Sequence, residues 1–215
     1  MTRAANIDLP NRIIAAAERV VIASGHQAVN MRSLATEVGV TATTIYHYFE
    51  NREEILRRVR LRAAEKLNRA IRAIDAALAP HEFLAELGRQ YLAFARENAN
   101  LYRLLFEVAF DDSGKSGAEK GGGAVIPGKA EGQVWKEEDH PVLYFTYLAA
   151  RGALEKMASR GIGMPDPRHG AMMGWMMLHG FCSLMMSGVL PPAEGMTRES
   201  LEALFMRYYS GGPGA

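Results

Sequence analysis

Apolar residues recur at helical spacing along most of the chain, and nowhere do they alternate with polar ones over a useful length as a strand requires. Ile13, Ala17, Val20 and Val21 share one face of a segment predicted as a helix over 11–24, which Gly25 stops. Asn30 is placed to cap a short helix over 31–38, Gly39 breaks it, and Thr41 caps a third helix over 42–49. Asn51 opens a fourth, predicted to run to about Leu78, with Glu53 and Glu54 in the first turn, where the helix dipole favours acids. Phe83, Leu84, Leu87, Tyr91 and Phe94 mark an amphipathic helix over 81–97, and a shorter one follows over 101–110. The pattern then stops. Residues 111–132 contain seven glycines and little to bury, so they read as a flexible loop. Order is expected to resume near Val134. Two long helices follow, 140–160 and 168–188; the second is opened by Asp166-Pro167 and closed by Pro191-Pro192, and Thr197 caps a last helix over 198–209. The predicted fold class is all-α. It consists of a flexible arm at 1–10, a three-helix unit at 11–56 and a larger helical domain at 57–210.

Composition narrows this picture only slightly. The chain has 215 residues, 48% of them hydrophobic, enough to bury a core without disulfides or metal. Net charge is +1, so a basic field over the whole protein is no argument for nucleic acid. Residues 1–60 hold eight arginines, no lysine and six acids, a mild local excess. The single cysteine, Cys182, sits in an apolar run and reads as a buried hydrophobe, which fits a reducing cytoplasm. The first ten residues lack the apolar stretch of a secretory signal. The run from Ala171 to Leu190 is nearly all apolar, but it contains His179 and three glycines and no basic cluster flanks it. It reads as a helix buried all round, not as a membrane span.

The informative segment is Arg32 to Leu56. Two short helices packed at a steep angle need a small residue in the first, and Ala35 supplies it. Four residues on, the turn needs positive φ, and Gly39 supplies it at no steric cost. Six residues further, the second helix needs an inward apolar residue, and Ile45 supplies it. Leu34, Val38, Val40 and Phe49 complete a small core. The outward positions are then Ala42, Thr43, Thr44, His47 and, partly, Tyr46, which are small or hydrogen-bonding side chains suited to a major groove.

Residues 39–56, GVTATTIYHYFENREEIL, resemble the recognition region of the TetR family of bacterial transcriptional regulators. The preceding VNMRSLATEVGV resembles that family's second helix, so the likeness spans residues 11–60. It implies an N-terminal helix-turn-helix followed by a helical-bundle domain for ligand binding and dimerisation. It also implies roles. Met31 and Arg32 would approach the DNA backbone, with Arg32 on a phosphate. Ala42, Thr43, Thr44 and His47 would face base edges or nearby phosphates. Tyr46 and Tyr48 would reach phosphates through their hydroxyls, and Arg52 would anchor the flank. Phosphate contacts fix register, and base contacts carry sequence information.

The second half resembles, more weakly, the TetR-type C-terminal domain named after Trp, His and Gly, through Trp175 and His179-Gly180 and through the segment 101–106. The residues themselves agree in part. Gly170, Gly174 and Gly180 share a stretch with Met172, Met173, Met176, Met177, Met185 and Met186. Small residues allow close helix approach and methionines fill irregular space, which suits a dimer interface or an adaptable cavity. Tyr91, Phe94, Tyr102, Phe106, Tyr144, Tyr147 and Met173 are the candidate ligand-pocket residues. Metal and catalytic readings fail on spacing. The six histidines form no pair at i, i+3 or i, i+4, and no nucleophile, phosphate-loop or dinucleotide motif occurs. The expectation is therefore a cytoplasmic homodimer built on the two long helices 140–160 and 168–188 with the methionine-rich face central, neither enzyme nor membrane protein and without cofactor. It would bind a palindromic operator as a repressor and be released by a small apolar effector that tilts the fourth helix. Two rivals are weighed against it: a helical small-molecule-binding protein or enzyme whose helix-turn-helix is incidental, and a membrane-associated helical protein.

Overall fold

A computed structural model describes residues 8–106, 145–163, 165–189 and 195–209. The described residues form nine α-helices and a 3₁₀ turn. The helices are α1 (Leu9–Ser24), α2 (Met31–Val38), α3 (Ala42–Tyr46), α4 (Arg52–Arg72), α5 (Pro80–Glu97), α6 (Ala99–Phe106), α7 (Phe145–Ala158), α8 (Pro167–Ser187) and α9 (Arg198–Tyr209), and the 3₁₀ turn is His26–Ala28. The arm up to residue 7, the glycine-rich segment 111–132 and the expected restart at Val134 lie outside the described residues.

The chain divides into two compact units. The first takes residues up to Glu65 with α6, and the second takes the rest of α4 with α5, α7, α8 and α9. In the first unit, Ile13, Ala17 and Val21 of the predicted face of α1 are fully buried, Val20 is half-buried, and Ala16 joins the buried set. With them lie Leu34, Ile45, Ile55, Val59, Leu101 and Tyr102. Polar ties fix the helix ends: the Asn100 amide donates to the Ile22 carbonyl at 3.0 Å, and Arg60 Nε donates to the Leu105 carbonyl at 3.2 Å.

In the second unit α5 packs on α7, α8 and α9, and α7 packs on α8. Its notable joint is a slot for Tyr209. A methyl group built on Gly88 would stand 2.8 Å from the Tyr209 ring and 3.1 Å from Met206, and one on Gly174 would stand 3.5 Å from the Tyr209 hydroxyl. The two glycines admit the ring, and burial pushes its hydroxyl pKa up to about 12. Phe205 stacks between Phe181 at 4.2 Å and Tyr209 at 5.8 Å, and Arg96 pairs with Glu202 at 2.9 Å.

Two expectations are corrected. Helix α4 ends at Arg72 and not near Leu78, because the Asp75 carboxylate accepts the Ala77 amide and the Glu82 carboxylate accepts the Ala79 amide. These bonds reward a turn over a further helical turn. Helix α8 is not buried all round. Ala171, Leu178 and Cys182 are buried, whereas Met172, Met173, Met176, Met177 and Leu184 are 43–50% exposed. Among the described residues no helix is long and apolar enough to cross a membrane.

Candidate nucleic-acid interface

The hairpin α2–α3 is built almost wholly from local bonds. Asn30 leaves the chain extended, and its side chain accepts the amides of Arg32 at 2.9 Å and Ser33 at 3.3 Å, which starts α2 at Met31. Gly39 ends it in the left-handed region at φ 78°, where a side chain would be strained. Thr41 Oγ1 then accepts the Thr44 amide at 3.2 Å and lies 2.8 Å from Thr44 Oγ1, so α3 starts one residue later. After Tyr46 the chain turns, the amides of Tyr48 and Phe49 both donating to the Ile45 carbonyl. That turn drives Phe49 inward to 3% exposure beside fully buried Ile45. Asn51 and Glu54 close a reciprocal cap: the Glu54 amide donates to Asn51 Oδ1 at 2.9 Å, and the Glu50 amide donates to Glu54 Oε2 at 2.8 Å.

With Ile45 and Phe49 fixed inward, the opposite side of α3 is fixed outward. Thr43 and His47 are exposed, Tyr46 is 55% exposed, and Ala42, Thr44 and Tyr48 are half-buried. Arg32 is exposed on α2. Of the residues named from sequence, these share the hairpin and are open to solvent. Met31 is not: it is 8% exposed and its side chain belongs to the core. Arg52 is also committed elsewhere. Its Nη2 donates to the His26 carbonyl at 2.6 Å and its Nε to the Val29 carbonyl at 2.9 Å, while Nη1 lies 3.3 Å from Glu53.

Arg52 therefore fastens the 3₁₀ turn that delivers the chain to Asn30, a role that sequence spacing did not reveal. Its guanidinium, after burial, helps hold the His26 pKa below its ordinary value of 6.5. Arg12, whose Nη2 donates to the Val38 carbonyl at 2.9 Å, holds the other end of α2 and was equally hidden. Both bonds join residues 26 apart in sequence, and no local pattern signals them.

The described effector candidates are divided between the two units. Tyr102 and Phe106 belong to the first unit, with their rings 4.8 Å apart. Tyr91, Phe94, Tyr147 and Met173 belong to the second, where Tyr91 and Phe94 are core, Tyr147 is half-buried and Met173 is 50% exposed. Tyr144 lies outside the described residues. Among the described residues no group of three metal-ligating side chains occurs.

Two family profiles match the chain. Residues 13–59 match that of the bacterial regulatory proteins of the tetR family, and residues 84–208 match a tetracyclin repressor-like C-terminal domain. The chain belongs to the TetR family. An uncharacterised HTH-type transcriptional regulator of Haemophilus influenzae is 41% identical over 54 residues, 25% of this chain and 29% of that relative. A Rhodococcus sp. RHA1 protein of unknown function superposes with a TM-score of 0.69 at 19% identity, over 94% of each chain. The transcriptional regulator FadR of Bacillus subtilis, solved in complex with stearoyl-CoA, superposes with a TM-score of 0.60 at 18% identity, over 94% of this chain and 98% of its own. The structural likenesses establish the TetR fold. The protein is accordingly a TetR-family transcriptional regulator with an N-terminal helix-turn-helix, a class of DNA-binding proteins and not of enzymes.

Proposed function

We propose that this TetR-family protein is a cytoplasmic homodimeric repressor that binds a palindromic operator and is released by a small, largely apolar effector. The observation that carries the reading is the division of the hairpin. Ile45 and Phe49 are held in the core, so Thr43, Tyr46 and His47 of α3 and Arg32 of α2 face outward together. Thr43 and His47, with Ala42 and Thr44, read base edges. Arg32, Tyr46 and Tyr48 contact phosphates. Arg52 contributes chiefly by holding the hairpin's approach, and a phosphate would have to share or replace its carbonyl bonds.

The second copy docks on α8. Met172, Met173, Met176 and Met177 are exposed at spacings that put them on one broad face, joined by Leu184 two turns further on. A methyl group on Gly180 would meet nothing within 4 Å, so this face presents a gap where a facing helix can come close. Leu204 and Tyr208 of α9 extend the exposed apolar set, and α7 contributes no exposed large apolar residue. Two-fold symmetry then presents two α3 helices to successive major grooves. The bound stearoyl-CoA of the Bacillus subtilis neighbour supports an effector with an apolar portion. Such an effector acts only through its preference for one spacing of the two heads.

The test is selection of binding sites from a random DNA library by the purified protein. An enriched palindrome is expected. The selected DNA should bind with a logarithmic salt slope of about −0.9 for each phosphate neutralised. Folded dimer that enriches nothing would overturn the reading.

A further inference from the structure

The second unit holds a cavity of about 190 Å³ between α7, the first turn of α5 and the turn that precedes it. Its walls are Leu78, Phe83 and Leu148 with smaller apolar groups, and it is distinct from the aromatic cluster expected from sequence. Three features bear on what it could take. The first is size: an engineered apolar cavity of about 150 Å³ stays dry and takes up benzene, so this one has room for a ring or a short alkyl chain. The second is Gly152. It stands in the interior of a 14-residue helix, where glycine is unfavourable relative to alanine, and a methyl group there would meet nothing within 4 Å. No neighbour demands the glycine. Its effect is to leave the cavity wall open.

The third feature is charge. Lys156, one turn from Gly152, lines the same cavity and is exposed, and a lysine so placed can lay its stem on apolar wall while its ammonium stays in water. Among the described residues no carboxylate lines the cavity. The neighbouring Glu155 is given to Arg151 at 3.2 Å, and among the described residues Lys156 has no ion-pair partner. An apolar chamber with one cation at its rim and, among the described residues, no counter-charge is complementary to a small amphiphilic anion.

We infer that the α5–α7 cavity binds a small apolar monocarboxylate, with its ring or alkyl chain against Phe83, Leu148 and Gly152 and its carboxylate on Lys156. The inference rests on the reading of the protein as effector-responsive and names the chemistry of the effector.

The experiment is titration of the full-length protein by calorimetry with benzoate and hexanoate, alongside the neutral probes benzyl alcohol and hexanol. Operator binding is measured in parallel. Wild type should bind both acids more tightly than the alcohols. Lys156→Met should weaken the acids about tenfold, a hydrogen-bonded charge partly discounted for exposure, and leave the alcohols unchanged. Gly152→Leu should abolish binding of all four. Gly152→Ala, which restores a better helix former, guards against misfolding: it should raise the melting temperature while weakening the larger ligand. Absence of acid binding in folded wild type overturns the inference, as does equal binding by wild type and Gly152→Leu. Operator binding with no acid binding sinks the cavity assignment alone. Lysine-dependent acid binding without operator binding sinks the regulator reading and leaves the site standing.

Discussion

The hairpin unit and helix α8 both present side chains to solvent, but for opposite physical reasons. Among the described residues of the first unit the exposed large apolar ones are Ile22, Tyr46 and Leu61, scattered over three helices, and of these Tyr46 alone lies on the face proposed for DNA. The rest of that face is methyl, hydroxyl, imidazole and guanidinium, and its polar groups are of the kind that can trade water for bases and phosphates. Helix α8 exposes four methionines in two adjacent turns. Contiguous apolar surface of that kind gains nothing from water, and it is the surface proposed above for the second copy. One region is complete as a fold and poised for a polar partner. The other leaves apolar side chains in water among the described residues.

The sharpest way to break that comparison is to attack the completeness of the head. Ile45 is fully buried and its neighbours on α3 face outward, so Ile45→Ala leaves a cavity that a short helix cannot collapse to fill. A loss of about 3 kcal/mol in urea denaturation is expected, with operator binding lost as the hairpin loosens. Unchanged stability would mean that α3 is not held by this contact. Next in size is the slot of the second unit. Gly88→Ala sets a methyl group 2.8 Å from the Tyr209 ring, and a cost of about 2 kcal/mol is expected as α9 gives way. Tyr209→Ala in the same chain should recover part of that cost, and strictly additive losses would remove the slot from the account.

The third change separates the two regions. Met176→Glu places a charge on the apolar face of α8 without touching the buried residues Ala171, Leu178 and Cys182. The monomer should keep its helicity while dimerisation weakens by about 2 kcal/mol, read by sedimentation across a concentration series. Operator affinity should fall with it, since each monomer brings one head. A variant that stays dimeric would shift the pairing surface away from α8.

What could be read from sequence divides along the same lines. Caps are local, so Asn30, Thr41, Asp166 and Thr197 were legible, and each side chain accepts a backbone amide of the helix it opens. The hairpin was legible for the same reason: Ala35, Gly39 and Ile45 act across four and six residues. The end of α4 was missed because an aspartate turn outweighed a continuing apolar period. Arg52 was read as a DNA anchor because its position in the motif is visible and its carbonyl partners, more than twenty residues away, are not. Methionines at 172–177 gave the right periodicity, but which face looks outward depends on where α5 and α7 pack, a long-range fact. The cavity beside Gly152 is the same kind of feature: a glycine in a helix is visible, and the empty space beside it is not.

The smallest expected effect is a pH dependence confined to the head. His26 is held below its ordinary pKa of 6.5 first by partial burial and then by the Arg52 guanidinium. The folded state therefore prefers the neutral ring, and the unfolded chain takes up its proton at higher pH. Stability from this group is fully present above 6.5, declines as pH falls from 6.5 through the folded pKa, and levels off below it. His179 titrates in the same direction, lowered by burial, but it sits on α8. His26→Gln removes only the head's contribution. Its stability measured between pH 7 and pH 5 should decline less steeply than that of wild type, while the decline due to His179 persists. Coincident slopes for the two proteins would mean that the 3₁₀ turn opens readily enough to hydrate the ring, and the Arg52 clasp would then be too weak to hold the approach to the hairpin.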